Sequence, residues 1–392
     1  MIVGAGPVGT VLALAAAQRE FQVVVLEAED HVVDEPRAAT MHPSTLDMVA
    51  DLGLLDDILA EGLLARYFDF WDRPTRSLVA RLDHEVLRGL TAHPYVVQVE
   101  QHKVVNMALR RLADLDNVEV RFGTPVTGVA QDAGGAVAFT AAGPVRGDYL
   151  VGTDGGRSTV RKAMGIEFEG YTWPERFLVL TTLFDFQQEL DFSYRNYIAD
   201  PQEWVNLFKV AGNDGLGRWR AVFPTGADET DEQALSDSGT SYRLRRLSLT
   251  VDPAAQLVHR KLYNVHQRVA RSFRAGRVFL AGDAAHVNNP IGGLGLNCGI
   301  HDAVELAETL GSASSAGSSV LDRYEARRRP VNIEFVQQQT VNNKKRLEEK
   351  DPERIKERQA ELAAVAGDAD RTREFLLNSS LLRSVVKAKS LG

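Results

Sequence analysis

The sequence predicts an α/β chain, α+β overall: a domain on a parallel sheet of Rossmann-like type, a second domain on an antiparallel sheet, and a helical C-terminal segment. Three observations predict it. A glycine turn, Gly4-Ala5-Gly6-Pro7-Val8-Gly9, follows the apolar pair Ile2-Val3 and enters an alanine- and leucine-rich stretch. Phe21 to Leu26 is an almost continuous valine-rich run, the pattern of a parallel strand buried on both faces. From Phe168 to Leu262 the texture shifts to aromatics and strand-type alternation with few helical stretches.

The elements follow in order. The first helix is expected over Thr10 to Glu20. Arg37 to Leu54 reads as helical after Pro43, with Gly53 as its C-terminal stop. Gln101 to Leu112 is an amphipathic helix. Val118 to Phe122, Val126 to Ala130, Ala136 to Thr140 and Tyr149 to Gly152 are short strands. Asp228 to Thr240, acidic and rich in Ser and Gly, reads as a mobile loop. Val278 to Gly282 is again a buried strand, Leu296 to Leu310 a helix, and everything after Arg323 helical and charged. The first domain is expected to gather residues 1–67, 97–166 and 272–330. The second takes 68–96 and 167–271, and 331–392 forms the tail.

Composition narrows the function classes. The 392 residues suffice for two cores. A net charge of −8, with bases and acids interleaved as in the stretch from Lys344, argues against a broad nucleic-acid surface. No apolar run approaches a membrane span, and the N-terminal apolar residues belong to a strand–turn–helix pattern rather than a signal peptide. Cys298 is the only cysteine, so a disulfide, a cysteine zinc site and a redox dithiol are excluded, and a cytoplasmic setting is expected. Only Met1 to Val3 precede the glycine turn, and a few further residues are expected in front of them in the natural protein.

The glycines Gly4, Gly6 and Gly9, with Pro7 opening the helix, suit a backbone that turns sharply against a pyrophosphate at a helix N-terminus. Glu27 ends the second strand, where a carboxylate accepts hydrogen bonds from an adenosine ribose and disfavours a 2′-phosphate. The plain alternative is a tight turn without a ligand. Gly282-Asp283 follows the strand RVFLAG, and its carboxylate suits a second polyol such as a ribityl chain. The segment Asn288 to Asn297, NNPIGGLGLN, exposes backbone N–H groups around Gly295 just before a helix. That suits a flavin ring whose pyrimidine edge becomes negative on reduction; the alternative is a flexible loop. Asp154-Gly155 ends the strand YLVGTD. Asp154 either caps the next helix, in competition with Ser158, or meets a cofactor. Arg37 reads as a phosphate or flavin contact or as a surface arginine. Gln101 reads as a cap-region residue. His42, His102, His286 and His301 show no metal-ligand spacing, and no metal is expected. Cys298 reads as a small buried apolar residue.

The three glycine–acid motifs together resemble the single-component flavoprotein aromatic hydroxylases, the para-hydroxybenzoate hydroxylase-like family, over residues 1 to 330. The resemblance implies FAD held along its length: the first motif on the ADP half, Asp154-Gly155 serving FAD and NAD(P)H, and Asp283 on the ribityl chain. It further implies that Arg37 and Gln101 line the FAD, that Leu296 and Asn297 offer backbone contacts to the ring, and that the Pro290 carbonyl faces its reacting edge. There is no second GxGxxG, in keeping with a family that binds NAD(P)H transiently. The implied reaction is hydroxylation of a phenol-like aromatic with O2, through a flavin C4a-hydroperoxide. One departure is that the tyrosine pair that activates a phenol in the best-known member has no clear match.

Strand periodicity places Arg218, Arg220 and Val222 on one face and Asn206 with Phe208 on one face. Arg220, with Asn206 or Phe208, is therefore a candidate for contact with an aromatic, anionic substrate; the alternative is ordinary sheet residues. Rival readings keep the first domain as a halogenase, for which Trp219 in GRWRAVFP is a poor motif match, or a reductase. A third makes the chain a non-catalytic flavin-binding regulator, with the charged tail as partner surface. The tail also offers a surface for a homodimer.

Overall fold

The computed structural model describes residues 1–35, 37–247, 252–316 and 318–391. Its first sheet is six-stranded, in the order Arg274–Ala275, Val278–Leu280, Leu150–Gly152, Ile2–Val3, Val23–Leu26, Val118–Arg121. All neighbours run parallel except the edge pair formed by Arg274–Ala275. The strand before the glycine turn thus lies inside the sheet. Its C-terminal end is flanked by those of Leu150–Gly152 and Val23–Leu26, the place where open α/β sheets bind ligands.

The first helix runs Pro7–Ala17, not Thr10 to Glu20. Proline at the first helical position needs no N–H, so Gly6 can serve as N-cap and the helix starts a turn early. Glu20 then takes a left-handed φ of 63° and ends the segment. A second helix, Pro43–Asp51, stops before Gly53, whose φ of +75° is the left-handed closure a glycine there provides. The unanticipated elements include the helix Leu55–Glu61, the small sheet of Thr40–Met41, Val96–Gln98 and Leu63–Ala65, and the strand Gly143–Gly147, which completes a three-stranded antiparallel meander.

The second sheet has eight strands, in the order His286–Val287, Leu257–Ala270, Phe168–Thr182, Arg218–Pro224, Val205–Val210, Arg195–Ala199, Tyr67–Asp72, Ser77–Asp83. Its neighbours are antiparallel apart from Arg195–Ala199 beside Tyr67–Asp72, which run parallel. Leu178, Leu180, Leu207, Trp219, Ala221 and Phe223 pack one face into a core of their own. Phe68, Phe70, Phe177, Tyr197 and Val222 lie on the other.

The expected mobile loop at Asp228 to Thr240 is corrected: it folds as two helices, Asp231–Leu235 and Asp237–Arg245. Thr230 and Gln233 form a capping box and Ser236 caps the second helix, so the polar residues read as loop-formers are helix starts. In the tail, Pro330 sits inside the helix Asp322–Val331, and a π-helical stretch, Asn332–Gln337, follows it. A residue without an N–H breaks the regular ladder there. The tail helices lie over the second sheet: Trp204 donates to Glu348 (3.2 Å), Gln359 donates to Asp72 (2.9 Å), and Leu347, Leu376 and Phe375 join its apolar cluster. Among the described residues no helix is long and apolar enough to cross a membrane.

Candidate active site

The glycines of the first turn have different jobs. A Cβ on Gly4, at φ +101°, would lie 2.7 Å from the Thr153 carbonyl oxygen, and one on Gly9 would lie 1.9 Å from the Gly4 oxygen. Both are glycines because backbone packs on backbone. A Cβ on Gly6 would meet nothing within 4 Å. Gly6 therefore faces open space at the N-terminus of Pro7–Ala17, where free N–H groups and the helix dipole favour an anion. Glu27 stands beside it, accepting from the Ala5 N–H (2.5 Å) and the Glu29 N–H (3.0 Å).

Asp154 is committed to its own segment. Its carboxylate accepts from the Ser158 hydroxyl (2.6 Å) and from the N–H groups of Thr159 (2.7 Å) and Val160 (3.1 Å), the start of the helix Thr159–Ala163. The cap fixes the Gly155-Gly156 turn. Arg161, buried, then reaches the carbonyls of Gly156 (2.8 Å) and Ala284 (2.9 Å), tying this turn to the third motif.

In that third motif Gly282 adopts φ +60°, and a Cβ there would press on Val8 at 2.8 Å, so the two glycine turns pack on one another. Asp283 is exposed to solvent. Surrounding protein pushes its carboxyl pKa up, while His286 and Arg37 pull the other way. Beneath it lies a buried charge network that the sequence reading missed. Asp302 accepts from the Gly282 N–H (3.1 Å), His286 (2.6 Å) and Arg328 (2.7 Å). Burial alone would lower the His286 pKa and raise that of Asp302. Asp302 outweighs burial for His286, pushing it up to about 10, and His286 with Arg328 holds Asp302 below the usual carboxylate range. The ligating atoms of His286, Cys298 and Asp302 lie within 4.8 Å of one another. However, Arg328 and Asn332 both donate to the Cys298 sulfur, and a guanidinium in that space opposes a metal cation.

The flavin-ring candidates sit where Gly292 (φ +114°) and Gly293 (φ +67°) lead into the long helix Leu294–Ala316. The Pro290 carbonyl closes that turn by accepting from the Gly293 N–H (3.0 Å). Gly295 and the largely buried Leu296 lie in the first helical turn. The fully buried Asn297 donates to the carbonyls of Thr40 (2.7 Å) and Gly293 (2.6 Å) and accepts from the His42 N–H (2.8 Å). Arg37 extends outward near Glu35 (3.7 Å). Gln101, half-buried, opens its helix with an N–H to the Ala38 carbonyl (3.1 Å).

An FAD suits this arrangement on three counts: the open side of Gly6, the accessible Asp283 carboxylate, and a glycine-led helix start on the same side of the domain. The second sheet faces that helix start. Asn206 opposes Val222, and Phe208 lies between Arg195 and Arg220 in one cross-strand row, all on one face. Arg220 donates to the Arg37 carbonyl (3.0 Å) and so bridges sheet and cofactor cleft. On and around this face several buried polar atoms have no partner: Asn206 Oδ1, Arg220 Nε, Thr181 Oγ1, Arg195 Nη1, His42 Nδ1 and His84 Nε2. Arg195, His42 and His84 were not singled out as pocket residues in the sequence. Alternation pairs Arg195 with Tyr197 on one face of RNYIA, while His42 and His84 lie outside that strand and carry no such signal.

Comparison with known proteins agrees with this geometry. Residues 1–339 match the family model for an FAD binding domain. The chain is 36% identical over 405 residues to para-nitrophenol 4-monooxygenase of Pseudomonas sp. (strain WBC-3), covering 99% of this chain and 97% of that one. It is 35% identical to 6-hydroxy-3-succinoylpyridine 3-monooxygenase of Pseudomonas putida (strain DSM 28022 / S16), covering 96% of each. The crystal structure of p-nitrophenol 4-monooxygenase from Pseudomonas putida DLL-E4 superposes with a TM-score of 0.90 at 34% identity, covering 98% and 97%. With its glycine turns, accessible acid and helix start brought together, the chain belongs to the FAD-binding-domain family of FAD-dependent aromatic hydroxylases and is a flavin monooxygenase.

Proposed function

We propose that this enzyme places one oxygen atom of O2 on a small hydroxylated aromatic ring, with NAD(P)H as reductant and the cytoplasm as its setting. One observation carries this reading: an aromatic sheet face bearing unpartnered polar atoms lies against the segment leading to the flavin-ring helix. A buried polar atom without a partner is costly, so such a cluster suits a ligand with polar groups on a flat apolar body. The relatives named for para-nitrophenol and for a hydroxypyridine support a compact ring of this type.

FAD supplies the redox chemistry that activates O2 when bound. The chain's own residues do the rest. Gly6 leaves room for the pyrophosphate, Glu27 meets the ribose and Asp283 the ribityl chain, with Arg37 and Gln101 alongside. Asp154 acts by holding the turn and helix that pack against Gly4. The N–H groups at Gly295, Leu296 and Asn297 oppose negative charge on the ring edge. Phe208 lies against the substrate ring, Asn206 and Arg220 meet its polar groups, and Pro290 borders the site from the flavin side. The tail helices keep water from the sheet.

The test is oxidation of NADH and NADPH under air by FAD-loaded enzyme, with a panel of phenols, scored by hydroxylated product per reductant consumed. Substrate-stimulated oxidation with matching product is expected. A yellow protein that turns over no aromatic would overturn the reading.

A further inference from the structure

Three of the buried arginines have carboxylate partners. Arg73 meets Asp200 at 2.6 Å, Arg243 meets Glu203 and Glu229 at 2.7 Å each, and Arg328 meets Asp302 at 2.7 Å. Arg161, Arg195 and Arg220 have none among the described residues; Arg161 is spent on two carbonyls and Arg220 on the Arg37 carbonyl at 3.0 Å, which leaves Arg195. It is 5% exposed, and no carboxylate among the described residues pairs with it. Its guanidinium carbon lies 3.9 Å from the Phe68 ring centroid, Nη2 donates to the Gly292 carbonyl at 3.3 Å, and Nη1 has no partner. Tyr197 on the same strand face is its remaining polar neighbour. A buried cation held by one carbonyl, the Tyr197 hydroxyl and the Phe68 ring, with no carboxylate, is an unfavourable arrangement unless an anion completes it.

The surrounding groups leave that task to a ligand. His42 contacts the Gly292 carbonyl through Nε2 at 3.0 Å, and His84 contacts the Arg66 carbonyl through Nδ1 at 2.8 Å. A carbonyl only accepts, so both rings donate there, and each keeps a lone pair on its other nitrogen, buried and unpartnered. Burial, then the nearby Arg195 charge, lowers both histidine pKa values, that of His84 to about 4, so neither ring competes as a cation. Arg346, on the tail side, is the other cation that Tyr197 senses. Phe68 and Tyr197, edge to face at 4.8 Å, supply aromatic walls, and Phe208 neighbours Arg195 across the strands.

We propose that Arg195 is the anion-recognition residue of this pocket, and that the enzyme takes its aromatic substrate in anionic form, the charge seated on Nη1 and the ring against Phe68 and Phe208. This rests on the monooxygenase reading and adds to it the charge state of the ligand. It also gives Arg195 the role first assigned to Arg220, whose Nη1 is already engaged with the Arg37 carbonyl.

The test is isothermal titration of oxidised, FAD-loaded enzyme without reductant, at a pH where 4-nitrophenol is ionised. Three probes are compared: 4-nitrophenolate, 4-nitrobenzoate and the uncharged 4-nitroanisole. The wild type is expected to bind one or both anions at least about tenfold more tightly than the ether, as a desolvated charge pair demands; which anion wins tells phenolate from carboxylate. Arg195→Gln is expected to lose that preference while keeping its flavin, and Arg195→Lys to recover part of it. Equal binding of anions and ether by the wild type would overturn the proposal without any variant. So would an unchanged preference in Arg195→Gln. Charge-selective binding with no hydroxylated product from any phenol would leave Arg195's role standing and defeat the monooxygenase reading instead.

Discussion

The cofactor cleft and the open face of the antiparallel sheet use their polar groups differently. At the cleft, four side chains are spent on the protein itself: Glu27 on the glycine turn, Asp154 on a helix start, Asn297 on three backbone groups, Asp302 on a glycine N–H and two cations. Around the antiparallel sheet Arg195, Asn206, Arg220, His42 and His84 each retain an unpartnered atom. A cleft for one invariant ligand is pre-shaped by backbone and locked. A pocket whose ligand varies from relative to relative carries its specificity in side chains that await a partner. Removing a group from the first region should break the fold or the cofactor; removing one from the second should change only what binds.

The largest expected effect is on the locked side. Asp302→Asn leaves His286 and Arg328 as buried cations without their anion, a loss on the order of 3–5 kcal/mol; thermal unfolding of the purified variant measures it. The same network sets a pH dependence. His286 is raised from 6.5 to about 10 in the folded chain, so its stabilisation is complete below pH 6.5 and fades as pH climbs through 10. Asp302 is held low, so its share is lost in acid, below the unfolded carboxylate pKa. Melting temperatures across both limbs should slope in the wild type, and an unchanged alkaline slope in Asp302→Asn would show that the pair is not its source.

Next comes a pair of glycines. Gly9→Ala forces a Cβ into the Gly4 carbonyl and should cost roughly 1–3 kcal/mol or more. Gly6→Ala has room in the protein and should melt normally without cofactor. It should nonetheless purify pale, because its methyl occupies space the pyrophosphate needs. Flavin absorbance beside apoprotein melting separates the two, and a fully yellow Gly6→Ala would refute the cradle.

On the open side, Arg220→Ala should keep its flavin and fold, yet raise KM and waste reductant as peroxide, because both a substrate contact and the tie to Arg37 are lost. Unchanged KM and coupling would remove Arg220 from the pocket. The smallest effect is Glu27→Gln, which weakens two backbone hydrogen bonds worth about 0.5–1.5 kcal/mol each and should loosen FAD modestly in a fluorescence titration.

The same contrast explains what the sequence disclosed. Gly4, Gly9 and Gly282 were legible because close backbone approach admits one residue type, and the motif around them names its ligand. The Asp228 to Thr240 segment misled because Ser, Thr and Asp serve caps and loops alike, and only the Thr230–Gln233 spacing distinguishes them. Arg195 stayed hidden because alternation reports which face a strand residue occupies but not its depth or its counter-ion. Asp302, His286 and Arg328 meet only through folding and leave no local signature.

Asn297 gathers Thr40, His42 and Gly293 on a single carboxamide. The segment bearing His42 and the start of the helix Leu294–Ala316 are thereby riveted together. Strands of the neighbouring sheet can be rewritten for new ligands while this helix start keeps its station, which gives the architecture a fixed anvil on which many different rings can be struck.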